Sequence, residues 1–266
     1  MFRRLRHVSA LVVAGGAVLV AGCNVQLSLG SEAKDQWQRH YTLARGGTLE
    51  IRNTNGLIHI EPGEGDAVDV TADRLVKAST DQAAKDGLAA FEIQESVSPD
   101  HILLDGTGRN GGINISFNMS RRIDYRVRVP EWANVVLTST NGEIQVGPKL
   151  TGTMRAETTN GRIKGTGLEN SVKASTTNGT INLDVAKLGE DGISGETTNG
   201  TVDVTVPAAS AARLSVRVTN GAIRTEGLNN LTYSEQSRRR VEATIGDGGP
   251  AIKLETTNGA VTVRGR

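Results

Sequence analysis

The stretch RAETTNGRIKG, residues 155–165, places a Thr-Asn-Gly turn between two short alternating runs. Asn-Gly between runs of β-type alternation is a strong signal for a tight turn. The chain contains seven Asn-Gly pairs that directly follow a threonine. These pairs begin at Asn55, Asn141, Asn160, Asn178, Asn199, Asn220 and Asn258. The reason why this turn recurs seven times should therefore indicate the fold.

Two apolar rows emerge when the seven units are aligned on the asparagine. The position six residues earlier is always apolar and holds Leu49, Val135, Met154, Val172, Ile193, Leu214 and Ile252. The position three residues later is always Ile or Val and holds Ile58, Ile144, Ile163, Ile181, Val202, Ile223 and Val261. Only 37% of the chain is apolar, so two uniform rows on one frame indicate a true repeat. Each unit is predicted to be two strands around a turn, with one apolar face.

The spacing of the units indicates a repeat architecture. From Asn141 onward the asparagines are 19, 18, 21, 21 and 38 residues apart. Periods near 20 residues are typical of stacked repeats. Because the last interval is twice 19, it predicts a further unit between Asn220 and Asn258 that has lost its Asn-Gly pair, with residues 246–249 as its turn.

Two folds fit a strand–turn–strand repeat. One is an antiparallel β-hairpin array, and the other is a β-solenoid in which each unit is one coil of about 20 residues and equivalent strands stack in parallel. The repeated threonine favours the solenoid, because like residues stack on like residues there. The alternation is expected to point each asparagine inward, so that the seven form a hydrogen-bonded turn ladder. The glycine is expected to supply a positive φ at the corner.

The N-terminus predicts export. Arg3, Arg4 and Arg6 precede an apolar run at residues 8–20, which is the pattern of a signal peptide. Residues 20–23, Val-Ala-Gly-Cys, resemble the lipobox of bacterial lipoproteins. That resemblance implies cleavage after residue 22, acylation of Cys23 and, with Asn24 following, sorting to the outer membrane, facing the periplasm or the cell surface. Residues 23–40 are expected to be a tether.

An interruption separates the first unit from the others. Residues 41–62 are predicted to hold the first strands and coil, residues 63–133 an α+β insertion that caps the N-terminal end, and residues 134–266 the repeated coils. Within the insertion, strands are expected at residues 68–72, 91–95, 101–105, 113–117 and 123–129. A capping box at residues 79–82 predicts a short helix to about residue 90.

The order of these features resembles the bacterial "putative adhesin" family of β-strand-repeat proteins of unknown function. It runs from the lipobox through an opening strand at residues 41–49, one coil, a helix-bearing insertion and a Val129-Pro130 strand end to the repeated Asn-Gly coils. The resemblance spans nearly all of the mature chain and implies an adhesin-like role without catalytic residues. Many members carry Ser-Gly-Asp at the turn where this chain has Thr-Asn-Gly.

Composition and motifs favour a binding role over catalysis. After cleavage 27 basic residues face 29 acidic ones, which argues against a nucleic-acid partner. Residues 106–111 match GxGxxG, but a strand pattern follows, so a dinucleotide site is not predicted. The three mature histidines, His40, His59 and His101, lack metal-ligand spacing. We predict no catalytic, cofactor or metal residues.

Two functions from different classes are compatible with these observations. The favoured one is a non-enzymatic, lipid-anchored envelope protein that binds or assembles through its solenoid; the alternative is a polysaccharide-active enzyme on a β-helix. Expected partners are the membrane through Cys23 and an envelope polysaccharide or protein. Residues 261–263 are expected to end the stack as an open edge that supports self-association. The basic cluster at residues 238–240 is read as a solvated loop, with contact to anionic headgroups or polysaccharide as the other reading.

Overall fold

The computed structural model describes residues 30–108 and 119–266. The described residues are mostly β, with one helix, α1 (Asp81–Ala89). The strands are β1 (Ser31–Thr42), β2 (Thr48–Arg52), β3 (Ile58–Gly63), β4 (Ala67–Ala78), β5 (Gln94–Val97), β6 (His101–Asp105), β7 (Ser120–Pro130), β8 (Asn134–Asn141), β9 (Ile144–Val146), β10 (Met154–Asn160), β11 (Ile163–Leu168), β12 (Val172–Asn178), β13 (Ile181–Val185), β14 (Ile193–Asn199), β15 (Val202–Val206), β16 (Ala212–Glu226), β17 (Leu231–Gln236), β18 (Arg240–Ile245) and β19 (Ala251–Gly265). The predicted strand at residues 113–117 and the predicted signal peptide with Cys23 lie outside the described residues.

The β-solenoid prediction is confirmed by the pairing of equivalent strands. β10 pairs in parallel with β8 and β12, whereas β11, on the other side of the turn, pairs in parallel with β9 and β13. The register places Asn160 opposite both Asn141 and Asn178. In a hairpin array the two strands that flank each turn would pair with each other, and a type I′ turn would need a positive φ at the asparagine. None of the seven asparagines has one.

The two strand rows form two walls, which the long strands β16 and β19 join into one continuous sheet. The predicted apolar rows face each other between these walls. Thirteen of their fourteen members are at most 3% exposed, and burial of each such side chain contributes about 1.5–3 kcal/mol. The exception is Ile223, which is only partly buried because it lies in the last coil of the stack.

The stacking order of the coils differs from the sequence order. β19 lies between the β14/β15 coil and the β16 coil, so that Ile252 is opposite both Ile193 and Leu214. The prediction of a degenerate coil between Asn220 and Asn258 is wrong. Residues 231–245 instead form an antiparallel hairpin, β17–β18, which extends the first wall beyond β16. The 38-residue interval between Asn220 and Asn258 is long because it contains this hairpin. β19 can stack between β14 and β16 because its apolar rows match those of both neighbours.

This order also corrects the expected open edge at residues 261–263. Val261 is flanked by Val202 on one side and Ile223 on the other, so the C-terminal strand is interior to its wall. The outermost strand of that wall is the second half of β16, which ends at Glu226.

The N-terminal end is closed by strands from the predicted insertion. β6 and β7 each add one parallel strand to a wall, and β5, β4 and β1 continue the walls in antiparallel pairing. Helix α1 packs on β1 and β4, and Thr80 caps it by accepting a hydrogen bond from the Ala83 N–H at 3.2 Å. The predicted strand at residues 101–105 is found, whereas the one expected at residues 91–95 begins only at Gln94.

The tether expected over residues 23–40 is wrong for residues 31–40. These residues belong to β1, which pairs with β4 from Ser31↔Ala78 to Thr42↔Ala67. The charged sequence hides this strand, because β1 is an edge strand whose side chains are mostly half-buried or exposed. The single opening strand expected at residues 41–49 is interrupted by a turn, in which the Gly47 N–H donates to the Ala44 carbonyl at 2.8 Å.

A truncation after residue 250 tests the interior position of β19. Its loss removes the neighbour of β14, β15 and both halves of β16, so we expect residues 212–245 to lose protection from hydrogen exchange while residues 120–185 keep theirs. Removal of Arg266 alone is the control and should leave both regions protected. If β19 were the end of the stack, the truncated chain would keep residues 212–226 protected, which would contradict this topology.

Candidate binding surface

The seven turn asparagines form one continuous ladder of side-chain amides. In each step the Nδ2 of one asparagine donates to the Oδ1 of the preceding coil, at 2.8–2.9 Å. The order along the stack is Asn55, Asn141, Asn160, Asn178, Asn199, Asn258 and Asn220. At the N-terminal end the Asn55 amide donates to the Arg121 carbonyl at 2.9 Å. The ladder therefore runs from the cap to the last coil.

The ladder lies outside the solenoid, which corrects the expected inward orientation. Asn55 is half-buried and the other six asparagines are exposed. The inward position at the turn is two residues earlier, where Thr158, Thr176 and Thr197 are at most 6% exposed. The inward–outward alternation of each strand ends at this threonine. Extending the alternation by two residues therefore assigns the asparagine to the wrong face.

The inward threonines make a second ladder that the sequence analysis missed. The hydroxyl of Thr176 donates to the carbonyl of Gly161 in the preceding coil at 3.2 Å, and Thr158, Thr197 and Thr256 repeat this bond at 3.0–3.3 Å. The sequence feature that could have predicted this ladder is the position two residues before each turn asparagine, which is inward-facing but mostly polar. It holds Asn53, Ser139, Thr158, Thr176, Thr197, Val218 and Thr256. A buried polar row needs such partners.

The turn glycine is required by close approach between coils, and four of the seven, Gly56, Gly200, Gly221 and Gly259, also have the expected positive φ. A Cβ on Gly161 would lie 1.9 Å from the carbonyl oxygen of Gly142, and one on Gly179 would lie 1.8 Å from that of Gly161. The backbone at these two glycines does not adopt a positive φ. Neighbouring coils are instead tied there by hydrogen bonds such as that from the Gly161 N–H to the Asn178 carbonyl at 3.0 Å.

The outer side of the turns presents a regular polar strip, which we call the Thr-Asn edge. It consists of the seven asparagines and the threonines before them, namely Thr54, Thr140, Thr159, Thr177, Thr198, Thr257 and Thr219 in stack order. The residues two positions after each asparagine border it, and in the same order they are Leu57, Glu143, Arg162, Thr180, Thr201, Ala260 and Ala222. The last four coils therefore expose an uncharged surface of small side chains.

The outer faces of the walls are charged in contrast to this edge. Arg155, for example, pairs with Glu157 at 2.6 Å. Arg240, from the basic cluster at residues 238–240, pairs with Glu235 at 3.2 Å and with Glu242 at 3.1 Å. Arg238 and Arg239 are exposed in the loop of the β17–β18 hairpin.

The described residues bring no catalytic constellation together. Each histidine contacts a single carboxylate: His40 with Asp69 at 2.6 Å, His59 with Glu61 at 3.3 Å and His101 with Glu50 at 3.1 Å. Residues 30–108 and 119–266 contain no group of three His, Cys, Asp or Glu side chains that could hold a metal ion. Of the GxGxxG segment only residues 106–108 are described, and there the Asp105 carboxylate accepts from the Thr107 N–H at 2.8 Å.

Tyr125 is the largest fully buried side chain among the described residues. Its hydroxyl has no hydrogen-bond partner among the described residues, and burial raises the pKa of the phenol well above its ordinary value. It therefore stays neutral and acts as a packing residue at the level of β7.

The family of the chain follows from comparison of residues 49–264, which match Toastrack DUF4097. The match covers most of the sequence and all seven coils. The chain belongs to the Toastrack DUF4097 family. This agrees with the resemblance to adhesin-like β-strand-repeat proteins. A comparison with functionally curated proteins found no match.

Solved structures similar to this Toastrack chain share little sequence with it. A "putative cell adhesion protein" from Clostridium sporogenes is 12% identical, with a TM-score of 0.47 over 88% of this chain and 100% of its own. A "putative adhesin" from Bacteroides fragilis is 11% identical, with a TM-score of 0.33 over 88% and 98%. A "putative lipid binding protein" from Parabacteroides distasonis is 13% identical, with a TM-score of 0.28 over 86% and 96%.

The loss of stability on replacing a ladder asparagine should depend on its position in the stack of coils, not on its position in the sequence. Asn258→Ala removes two amide bonds and Asn220→Ala removes one. At about 0.5–1.5 kcal/mol per bond, Asn258→Ala should lower the free energy of unfolding by about 1–3 kcal/mol and Asn220→Ala by about half of that. Urea denaturation measures both values. Thr257→Ala, an exposed truncation beside the ladder, is the control, and a larger loss for Asn220→Ala would contradict the order of the ladder.

Proposed function

We propose that this Toastrack protein is a non-enzymatic, lipid-anchored envelope protein that binds or assembles through the outer surface of its solenoid. The observation that carries the proposal is the filled interior. Aliphatic rows occupy the space between the walls along the whole stack, and in the described chain the buried side-chain polar atoms without a partner are the Tyr125 hydroxyl and Ser139 Oγ. A ligand therefore meets an outer face, an end or the Thr-Asn edge. The polysaccharide-active alternative has no comparable supporting observation among residues 30–108 and 119–266.

The anchor in this proposal is Cys23, in agreement with the lipobox resemblance. Acyl chains contribute about 0.8 kcal/mol per buried CH₂, so several chains on one residue hold a protein stably at a bilayer. No helix in residues 30–108 or 119–266 is both long enough and apolar enough to cross a membrane. Because β1 begins at Ser31, the link from Cys23 spans at most about 30 Å. The capped N-terminal end of the stack would then lie near the membrane, and the outer membrane is the expected location.

The binding or assembly surface in this proposal is the Thr-Asn edge. Its asparagine amides bond to each other along the ladder, whereas the hydroxyls of Thr177 and Thr198 are exposed and make no hydrogen bond within the described ranges. One free hydroxyl per coil repeats with the strand spacing of about 4.8 Å. An extended polar partner, such as an envelope polysaccharide or a protein strand, matches a linear array of this kind.

Replacement of the anchor tests the first half of the proposal. Cys23→Ser should move the protein from the membrane pellet to the soluble fraction after cell lysis, because the variant cannot be acylated. Fractionation followed by immunoblotting measures this. Asn24→Ser, which keeps the cysteine, should remain in the pellet. A Cys23→Ser protein that still sediments with membranes would overturn the lipid anchor.

Charges placed on the Thr-Asn edge test the second half. Thr177→Glu combined with Thr198→Glu should reduce binding to isolated envelopes about tenfold or more, since two carboxylates interrupt the uncharged strip. Asn182→Glu combined with Thr205→Glu adds the same charge to the outer face of the second wall in the same coils, and should bind normally. Co-sedimentation with envelopes provides the affinities. Equal binding by both double variants would exclude the edge as the contact surface.

A further inference from the structure

A groove of about 520 Å³ crosses the outer face of the second wall at β3, β9 and β11. It exists because β9 ends at Val146 and glycine follows, so the outward row has no side chain at Gly147. Pro62 and Pro148 form apolar walls on either side, and Gln145 and Thr166 supply polar groups. The volume lies within the range of small-molecule binding sites.

Two lysines without acidic partners line this groove. Lys149 and Lys164 are exposed, and neither makes a salt bridge with any residue that the structure describes. The acidic residue in the groove, Glu61, already has a partner, since its carboxylate lies 3.3 Å from His59 Nε2. Arg155 and Arg240, by contrast, each pair with a glutamate. The groove contains two lysines and one glutamate, so it carries net positive charge around Gly147.

The backbone at Lys149 adds a second observation. Its φ is 70°, in the left-handed region where glycine or asparagine is the usual choice. The Lys149 N–H donates to the carbonyl of Gly167, in the neighbouring coil, at 3.0 Å. A lysine held in this conformation costs stability, and such costs concentrate at functional positions. Here the conformation places the lysine on the rim of the groove.

We propose that this groove binds an anionic saccharide, with Lys149 and Lys164 contacting its carboxylate or phosphate group and Pro62 and Pro148 packing against the sugar ring. Lysine ammonium groups bind carboxylates and phosphates as strong charge-assisted donors. The proline rings supply the apolar contact that free anions lack. This site is separate from the Thr-Asn edge and stands independently of the lipid anchor.

The test uses the full chain purified in detergent and titrated calorimetrically with four probes. These are oligogalacturonate, which carries carboxylates; phosphomannan oligosaccharide, which carries phosphates; dextran oligosaccharide, which is neutral; and inorganic phosphate. We expect one of the two anionic saccharides to bind, with affinity that falls as salt rises. Equal binding of dextran, or binding of inorganic phosphate as tight as that of either saccharide, would overturn the saccharide assignment.

Substitutions locate the binding. Lys149→Gln with Lys164→Gln should weaken it by about a hundredfold, since two charge-assisted contacts are lost. Lys173→Gln with Lys187→Gln, which removes the same charge from other exposed positions, should change it less than threefold. Gly147→Leu should fill the groove with a side chain without altering its charge. The fold should tolerate this change, because a Cβ at Gly147 would meet only ordinary contacts at 3.4 Å. Lys149→Arg with Lys164→Arg should retain binding. Equal losses in both Gln pairs, or unchanged binding in Gly147→Leu, would overturn the site.

A stability measurement separates binding from folding. Lys149→Gly relieves the left-handed lysine, so its thermal midpoint should not fall below that of the parent chain while saccharide binding is lost. A lowered midpoint would show that Lys149 serves the fold, and would overturn its assignment to the ligand.

Discussion

The contact between one turn glycine and the carbonyl of the coil before it sets the spacing on which the rest of the structure depends. A Cβ at Gly161 would overlap the Gly142 oxygen, so only glycine allows the coils to approach to hydrogen-bonding distance at the corner. Once they approach, the Gly161 N–H reaches the Asn178 carbonyl, the Thr176 hydroxyl reaches the Gly161 carbonyl and the asparagine amides reach each other. The Thr-Thr-Asn-Gly sequence thus satisfies the polar groups of a sharp turn by means of the neighbouring coil, and the apolar rows behind it can remain dry.

The sequence predicts the coil well because the coil is a local pattern. The apolar rows at Leu49 and Ile58 and their equivalents gave the two walls, the inward faces and the parallel register, and all of these follow from alternation and repetition. The outward orientation of the turn asparagines could not be predicted from this alternation. Alternation fails in the last two residues of β10, where Thr159 and Asn160 are both exposed after the inward Thr158, and the equivalent strands do the same.

Features that depend on distant pairing were the ones that the sequence analysis missed. The position of β19 between β14 and β16 is decided by which apolar rows meet, and every coil carries nearly the same rows. β1 is recognisable only from its partner β4, because a charged edge strand has no apolar period of its own. The candidate groove was equally invisible, since Lys149, Lys164 and Pro62 come from three coils, and the depression between them is produced by a missing side chain at Gly147.

The turn ladder also bears on how the protein ages. Asn-Gly is the dipeptide most prone to spontaneous deamidation, in which the glycine nitrogen attacks the asparagine side-chain carbonyl, ammonia leaves and a cyclic imide forms. In the inner coils that nitrogen is occupied, as the Gly179 N–H is by the Asn199 carbonyl at 3.0 Å, and the amide it would attack is held by two neighbours. Stacking thus shields chemically labile sites that would decay in an isolated turn. Asn220, in the last coil, has no further coil to supply that carbonyl, so chemical wear of the solenoid should begin there and proceed inward.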